Sequence, residues 1–324
     1  ISYSSKPNSL KLQNLISEQL TGCGFHEILN NSLTKLSYYD GCQRFTSDTS
    51  IHVMNPLSAD LGCMRQTLLF GGLESIAYNI NRRNGDVKFY EFGNCYHKNP
   101  SLESTPDNPL NPYYEEFHLG IWLAGNKTCQ SWVAKQQKTS FYELSAYVQN
   151  IFARLGVDRK SLIVENYSDD LLVEGLTMTT RGGKLLATLG VVSRSVNKKM
   201  DIDCDVFYAD LEWNNLMSAI KKHKVSYEEI SKFPEVKRDL ALLLDKSVTF
   251  ADIARIANDT ERKLLKNISL FDVYEGKNLP EGKKSYAVSF ILQDMNKTLT
   301  DTQIDGIMNK FIKNFEEKLS AKIR

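Results

Sequence analysis

The sequence predicts an α+β protein in two parts: a larger, mainly antiparallel sheet with helices, then a smaller βαββαβ unit. Three observations carry this. In the last hundred or so residues two strand-like runs each lead into a helix, with Val236, Leu240, Leu242 and Leu244 alternating along the first. Ile304, Ile307, Met308, Phe311, Ile312, Phe315 and Leu319 form an apolar stripe at helical spacing. Residues 1 to about 220 instead intersperse several strand-like runs with three longer helical patterns. At 324 residues and 42% hydrophobic content, the chain has enough apolar material for about two domains.

In chain order, Leu10, Leu12, Leu15, Ile16 and Leu20 lie along a first helix that Gly22 and Gly24 end. A strand follows from Phe25, and Ile51 to Met54 reads as a short strand stopped by Asn55-Pro56. Leu68, Leu69, Leu73, Ile76 and Ile80 mark a second helix. Val87 to Tyr96 and Phe117 to Ala124 are strands joined by a polar loop that holds Pro100, Pro106, Pro109 and Pro112. A third helix spans about Phe141 to Leu155, and Leu185 to Val192 and Val206 to Leu211 complete the sheet. Gly182-Gly183-Lys184 reads as a hairpin turn, too short for a phosphate loop. The predicted division is 1–220 for the larger module, 221–231 for a linker around Lys221-Lys222-His223-Lys224, and 232–324 for the smaller domain.

In the smaller domain, Thr249 to Asp252 is a capping box opening a helix that buries Ile253, Ile256, Ala257 and Leu264. A strand runs from Asn267 to Tyr274, a Gly/Pro/Glu/Lys turn from Glu275 to Lys284, and a third strand from Ser285 to Leu292. Thr300 and Gln303 cap the last helix, and Lys322 to Arg324 adds a short closing strand. Two helices must cover one face of this sheet, so the apolar registers belong to the core. The other face then carries Asp239, Ala241, Asp272, Tyr274, Ser285, Ala287 and Ser289. Small residues leave room for a flat ligand, the Tyr274 ring offers stacking, and Asp272 and Ser285 offer hydrogen bonds. That set suits an unpaired nucleic-acid base. It also suits a plain solvated sheet face.

Charge and composition narrow the classes. Lys221 to Arg324 carries twenty Lys/Arg against sixteen Asp/Glu, while Ile1 to Ile220 carries twenty against twenty-three. A mildly basic tail fits a polyanion partner. Cys23, Cys42, Cys63, Cys95, Cys129 and Cys204 contain no C-x-x-C pair, which argues against a zinc site and a disulfide framework. His26, His52, His97, His118 and His223 show no metal spacing, so no metal site is expected. No signal or membrane-spanning stretch appears, and a cytoplasmic setting is expected.

Phe233-Pro234, Lys237-Arg238-Asp239-Leu240, Phe271-Asp272-Val273-Tyr274, Leu299-Thr300-Asp301 and Ile323-Arg324 resemble the ferredoxin-fold anticodon-binding domain of the bacterial phenylalanyl-tRNA synthetase β subunit. The preceding part resembles the class II synthetase-like core module of that subunit. It does so through Gly24-Phe25-His26-Glu27, Asn55-Pro56-Leu57-Ser58, Met64-Arg65 and Phe89-Tyr90-Glu91-Phe92-Gly93. The resemblance implies that Tyr274 stacks on the first anticodon base, a guanine, and that Asp272 and Ser285 read its edges. It implies two partners, a catalytic α subunit in an (αβ)₂ heterotetramer and phenylalanine tRNA. Editing and magnesium-binding segments would lie upstream of Ile1.

It also implies where chemistry would sit. An active class II core places an arginine at a strand end, within Phe-Arg-x-Glu, against the α-phosphate of ATP, where charge builds during attack. The matching stretch here is Tyr96-His97-Lys98-Asn99, which lacks both charged residues. No catalytic residue is therefore expected in this chain. ATP and Mg²⁺ are expected only for the full enzyme, as a phenylalanine–tRNA ligase. Two alternatives remain open at this point, a self-sufficient but diverged ATP-dependent ligase and a stand-alone RNA-binding regulator.

Overall fold

The apolar alternation resolves into two principal sheets in the computed structural model, which describes residues 8–220, 227, 229–276 and 279–324, without the side chain of Lys160. The chain divides into two units, Ile1–Val225 and Ser226–Arg324, and most of the expected 221–231 linker lies outside the described residues.

The larger unit opens with α1 (Ser9–Gly22), whose N-terminal N–H groups are capped by Asn8, and β1 (His26–Glu27). β2 (Leu33–Thr34) and β3 (Cys63–Met64) form a small ribbon. After α2 (Leu69–Ile80) come the long β4 (Val87–Lys98) and β5 (Tyr113–Ala124), paired antiparallel along their whole length. β6 (Asn126–Thr128) and β7 (Gln137–Lys138) make a second ribbon. α3 (Phe141–Leu155) runs from a Ser140 cap to Gly156 at φ +80°, a left-handed turn that glycine adopts without Cβ strain. β8 (Leu162–Tyr167), β9 (Leu172–Thr180), β10 (Leu185–Val192), α4 (Arg194–Lys199), β11 (Val206–Glu212) and α5 (Trp213–Ala219) follow.

The main sheet has seven strands in the order β1-β4-β5-β11-β10-β9-β8, antiparallel except for β1 against β4. Side-chain alternation gives it two different faces. On one, Leu119, Ile121, Leu123, Ala209 and Leu211 meet α1, α3 and α5 through Ile16, Leu20, Val148, Ile151 and Trp213. On the other, Phe89, Cys95, Trp122 and Tyr208 meet Leu69, Leu73 and Ile76 of α2 together with Tyr39 and Phe45.

Several expectations need correction. Ile51–Met54 is no strand: only His52 bridges Cys63, and Met54 is solvent-exposed, because a run this short beside Pro56 finds no continuous partner. Leu10 lies in the first turn of α1, as expected, with its side chain exposed. The β8–β9 hairpin escapes the periodicity because Ile163, Val164 and Glu165 at the sheet edge are all exposed, so no clean alternation is written into it. α4 and α5 are too short to show a helical period. The turn at Gly182-Gly183-Lys184 joins β9 to β10, with Gly183 at φ +79° and the Thr180 N–H donating to the Lys184 carbonyl.

The smaller unit is βαββαβ: β12 (Val236–Asp245), α6 (Phe250–Thr260), β13 (Leu265–Tyr274), β14 (Lys283–Leu292), α7 (Asp301–Leu319) and β15 (Lys322–Ile323), in the sheet order β13-β14-β12-β15. Both capping boxes form, Thr249 with Asp252 and Thr300 with Gln303. α6 ends four residues before Leu264, because the Thr260 hydroxyl donates back to the Ile256 carbonyl and Glu261 leaves helical geometry. Leu264 instead packs against the core from the following segment. The core stacks Phe290 of β14 on Phe311 at 5.0 Å between ring centroids, with Ile253, Ile256, Ile304 and Phe315 around them.

Candidate functional site

Both helices of the smaller unit lie on one side of its sheet, so the residues that alternate with the core set face away from them. Strand register brings the three predicted residues together. Tyr274 of β13 stands directly opposite Ser285 of β14, and Asp272 stands opposite Ala287, which in turn faces Ala241 of β12. Among the described residues Asp272 takes no hydrogen bond and no ion pair, and its side chain is exposed. Tyr274 is 38% exposed. Ser285 lies lower, at 8%, on the floor between the outer strands.

The floor is small and the margins are large. Ala241, Ser285 and Ala287 occupy the middle strands, while aromatic rings stand on β13 and cations reach across from the opposite side. Arg324 is fixed by donating its N–H to the Ala241 carbonyl at 3.0 Å, which continues the pairing of β15, and its guanidinium lies 5.8 Å from the Tyr274 ring centroid. Lys237 of β12 sets its ammonium 5.6 Å from the Phe271 centroid and 4.0 Å from the Asp239 carboxylate. Gly276 closes against Tyr274: a Cβ there would meet the ring's Oη at 2.3 Å. Only a glycine leaves the ring where it is. Phe271, Lys237 and Arg324 were not among the predicted site residues, although all three lie within the motifs that carried the resemblance.

In the larger unit the decisive place is the end of β4. His97, in the Tyr96-His97-Lys98-Asn99 stretch, is stacked with Tyr114 at 5.2 Å and Phe45 at 6.4 Å. Its own sheet face continues through Cys95, Gly93, Glu91 and Phe89. That face carries two buried ion pairs, and beside them the buried His118 Nε2, Trp122 Nε1 and Tyr208 Oη have no hydrogen-bond partner among the described residues. The Arg65 guanidinium donates to Glu91 at 2.6 Å and to the Asn94 carbonyl at 2.9 Å, with Arg65 6% and Glu91 0% exposed. His118 pairs through Nδ1 with Asp210 at 2.7 Å. Burial disfavours the charged imidazole, but the Asp210 carboxylate outweighs it, and His118 is pushed up to about 10. Burial would raise Asp210, yet His118 holds it below the usual carboxylate range. His97 is lowered, chiefly by burial. Trp122 fills the remaining space, its indole so close to α2 that a Cβ on Gly72 would approach it to 2.1 Å. Among the described residues there is no cluster of His, Cys, Asp and Glu suited to a metal ion.

A seven-stranded antiparallel core with one parallel edge pairing, joined to a ferredoxin-like βαββαβ unit with an aromatic open face, defines an α+β protein built from class II synthetase-like and anticodon-binding-like modules. Comparison with known proteins agrees. Residues 1–213 match the family described as phenylalanyl tRNA synthetase beta chain CLM domain, and residues 231–324 match the ferredoxin-fold anticodon binding domain. The chain belongs to the phenylalanyl-tRNA synthetase β-chain family. It is 61% identical over 316 residues to a phenylalanine–tRNA ligase beta subunit of Bacteroides fragilis, covering 98% of this chain and 38% of that protein. A Porphyromonas gingivalis subunit of the same description is 46% identical over 314 residues, covering 97% of this chain and again 38% of the relative. The chain thus spans about two fifths of the length of the curated relatives it matches. Among solved structures, pyrrolysyl-tRNA synthetase from Desulfitobacterium hafniense aligns with a TM-score of 0.49 and 15% identity, over 66% of this chain and 70% of that one.

Proposed function

We propose that this chain is a non-catalytic, tRNA-recognising part of phenylalanine–tRNA ligase, whose smaller unit binds the anticodon of phenylalanine tRNA. The observation that carries the reading is the helix-free face: an aromatic ring, a carboxylate without a partner among the described residues, and cations around a floor of alanine and serine. Tyr274 stacks on the first anticodon base, and Asp272 and Ser285 take its hydrogen-bonding edge. Asp272 suits guanine because an ionised carboxylate only accepts, and guanine's Watson–Crick edge offers N–H donors.

The larger unit acts as a scaffold for the catalytic α subunit in an (αβ)₂ heterotetramer, with the division between the two parts in the 221–231 stretch. Two features support this. The sheet face that would have to hold ATP is filled by Trp122, Arg65–Glu91 and His118–Asp210. Met54 and Leu57 stand in solvent, as side chains awaiting a protein partner would. ATP and Mg²⁺ are then handled by the α subunit, and the complete enzyme esterifies phenylalanine to its tRNA. Among the described residues no helix is long and apolar enough to cross a membrane, in keeping with a cytoplasmic setting.

The test is a filter-binding titration of the phenylalanine tRNA anticodon stem-loop at fixed salt. Tyr274→Ala is expected to weaken binding by about 1–3 kcal/mol, the value of one base–aromatic stack. Equal affinity of the variant and the parent protein rules the face out. Phenylalanine-dependent pyrophosphate exchange by the chain without α subunit would show instead that it is a ligase in its own right.

A further inference from the structure

We infer that the open face holds a second base-stacking platform, formed by Phe271 and Lys237, which receives a nucleotide adjoining the one on Tyr274. The inference rests on the reading of this face as an RNA-binding surface.

β13 is irregular in its pairing with β14. Leu270 pairs with Val288, but Asp272 pairs with Ala287, so one extra residue, Phe271, is inserted between them. In an unbroken strand Phe271 and Asp272 would point to opposite faces. The bulge turns both outward, and bulges of this kind re-aim side chains beside binding sites. The ring lies on the helix-free side, because the Lys237 ammonium 5.6 Å from its centroid comes from a β12 position that alternates with the core residue Val236.

The bulge costs a ladder position and leaves Phe271 57% exposed. A single exposed apolar residue needs no explanation, but this one has a built surrounding. Its arrangement repeats that of Tyr274: an aromatic ring on the edge strand β13 with a cation over it from across the sheet. The rings stand three positions apart along the strand, on the order of 10 Å at about 3.3 Å per residue. The unpartnered Asp272 carboxylate lies between them. Ser289, in the row of Asp239 and Ser269 on the same face, is 1% exposed and its hydroxyl has no partner among the described residues. An incoming base that displaces Lys237 from Phe271 opens this row and supplies a partner. The ammonium then lies over the base or against the strand's phosphate, either of which favours a polyanion over an apolar peptide.

The experiment uses the whole chain and three RNA probes: the phenylalanine tRNA anticodon stem-loop, and the same stem-loop made abasic at the nucleotide on the 5′ or on the 3′ side of the first anticodon base. Phe271→Ala is expected to weaken the intact stem-loop by roughly 5- to 150-fold, the range of one stacked base. Against one of the two abasic probes it is expected to have almost no effect. Phe271→Trp retains affinity, and Lys237→Gln weakens the intact probe by several-fold. Tyr274→Ala keeps its full effect on every probe. Two outcomes overturn the second platform while leaving the Tyr274 site standing: Phe271→Ala binding the intact probe as well as the parent does, or losing the same factor on all three. If Tyr274→Ala is also without effect, the RNA reading of the face fails together with the platform.

Discussion

Replacing Arg65 with methionine tests whether the packed face of the larger unit is structural. The change removes a guanidinium that donates to Glu91 at 2.6 Å, to the Asn94 carbonyl at 2.9 Å and to the Asn30 carbonyl at 3.3 Å. Glu91, 0% exposed, would keep only the Asn30 N–H at 3.3 Å and the Asn30 side-chain amide at 2.8 Å. Breaking one side of a buried ion pair costs about 3–5 kcal/mol, because the charge left behind has lost both water and partner. At about 2 kcal/mol per molar urea, the unfolding midpoint falls by about 2 M. Tryptophan fluorescence is the assay of choice, since Trp122, Trp132 and Trp213 all lie in the larger unit and the smaller unit is silent. Adding Glu91→Gln removes the stranded charge while keeping an acceptor for Asn30, so the double variant recovers at least half of the loss. A loss below about 1 kcal/mol for Arg65→Met, or a double variant no better than the single one, would refute the argument.

Two further outcomes follow from the same geometry. Gly276→Ala places a methyl group 2.3 Å from the Tyr274 hydroxyl oxygen, closer than contact allows, so the ring must shift. Affinity for the anticodon stem-loop is expected to fall nearly as far as in Tyr274→Ala, while the larger unit's urea midpoint stays put. The His118–Asp210 pair sets a pH dependence, in surroundings that include Glu116, Glu212, His97 and Arg44. His118 is raised to about 10 in the folded protein, so its stabilisation is complete below its ordinary value of about 6.5 and is lost as pH climbs toward 10. Urea midpoints from tryptophan fluorescence at pH 7 and pH 9.5 should therefore decline for the parent, and less so for His118→Gln. Equal slopes for the two proteins would remove His118 as the cause.

Much of the architecture was legible in the sequence where periodicity and capping agree. The stripe along α7 sits behind its Thr300–Gln303 box, α3 keeps its expected bounds, and the long strands β4 and β5 show as apolar runs. Legibility failed where an element's identity depends on a neighbour. Ile51–Met54 has strand-like residues but no continuous partner, and β8 has a partner but too little burial to write an alternating pattern. The buried charges Arg65, Glu91, His118 and Asp210 look like ordinary surface residues in one dimension, because nothing in the chain order reveals that each faces its counterion.

The candidate face divides the same way. Composition and helical spacing by themselves indicated two amphipathic helices over one sheet, and residue type alone marked Tyr274, Asp272 and Ser285 as the aromatic and polar candidates for its other face. Counting by twos from Ile268 and Leu270, which point into the core, assigns Asp272 and Tyr274 to the core as well. Only the folded sheet decides otherwise. The residue inserted at Phe271 lets Val288 keep Leu270 as its partner while Ala287 takes Asp272, and everything beyond the bulge changes side. Such a shift is set by the register of the neighbouring strand, which the sequence of β13 alone does not contain. The reach of Arg324 and Lys237 to the rings is likewise a property of β12, β13 and β15 meeting in one sheet.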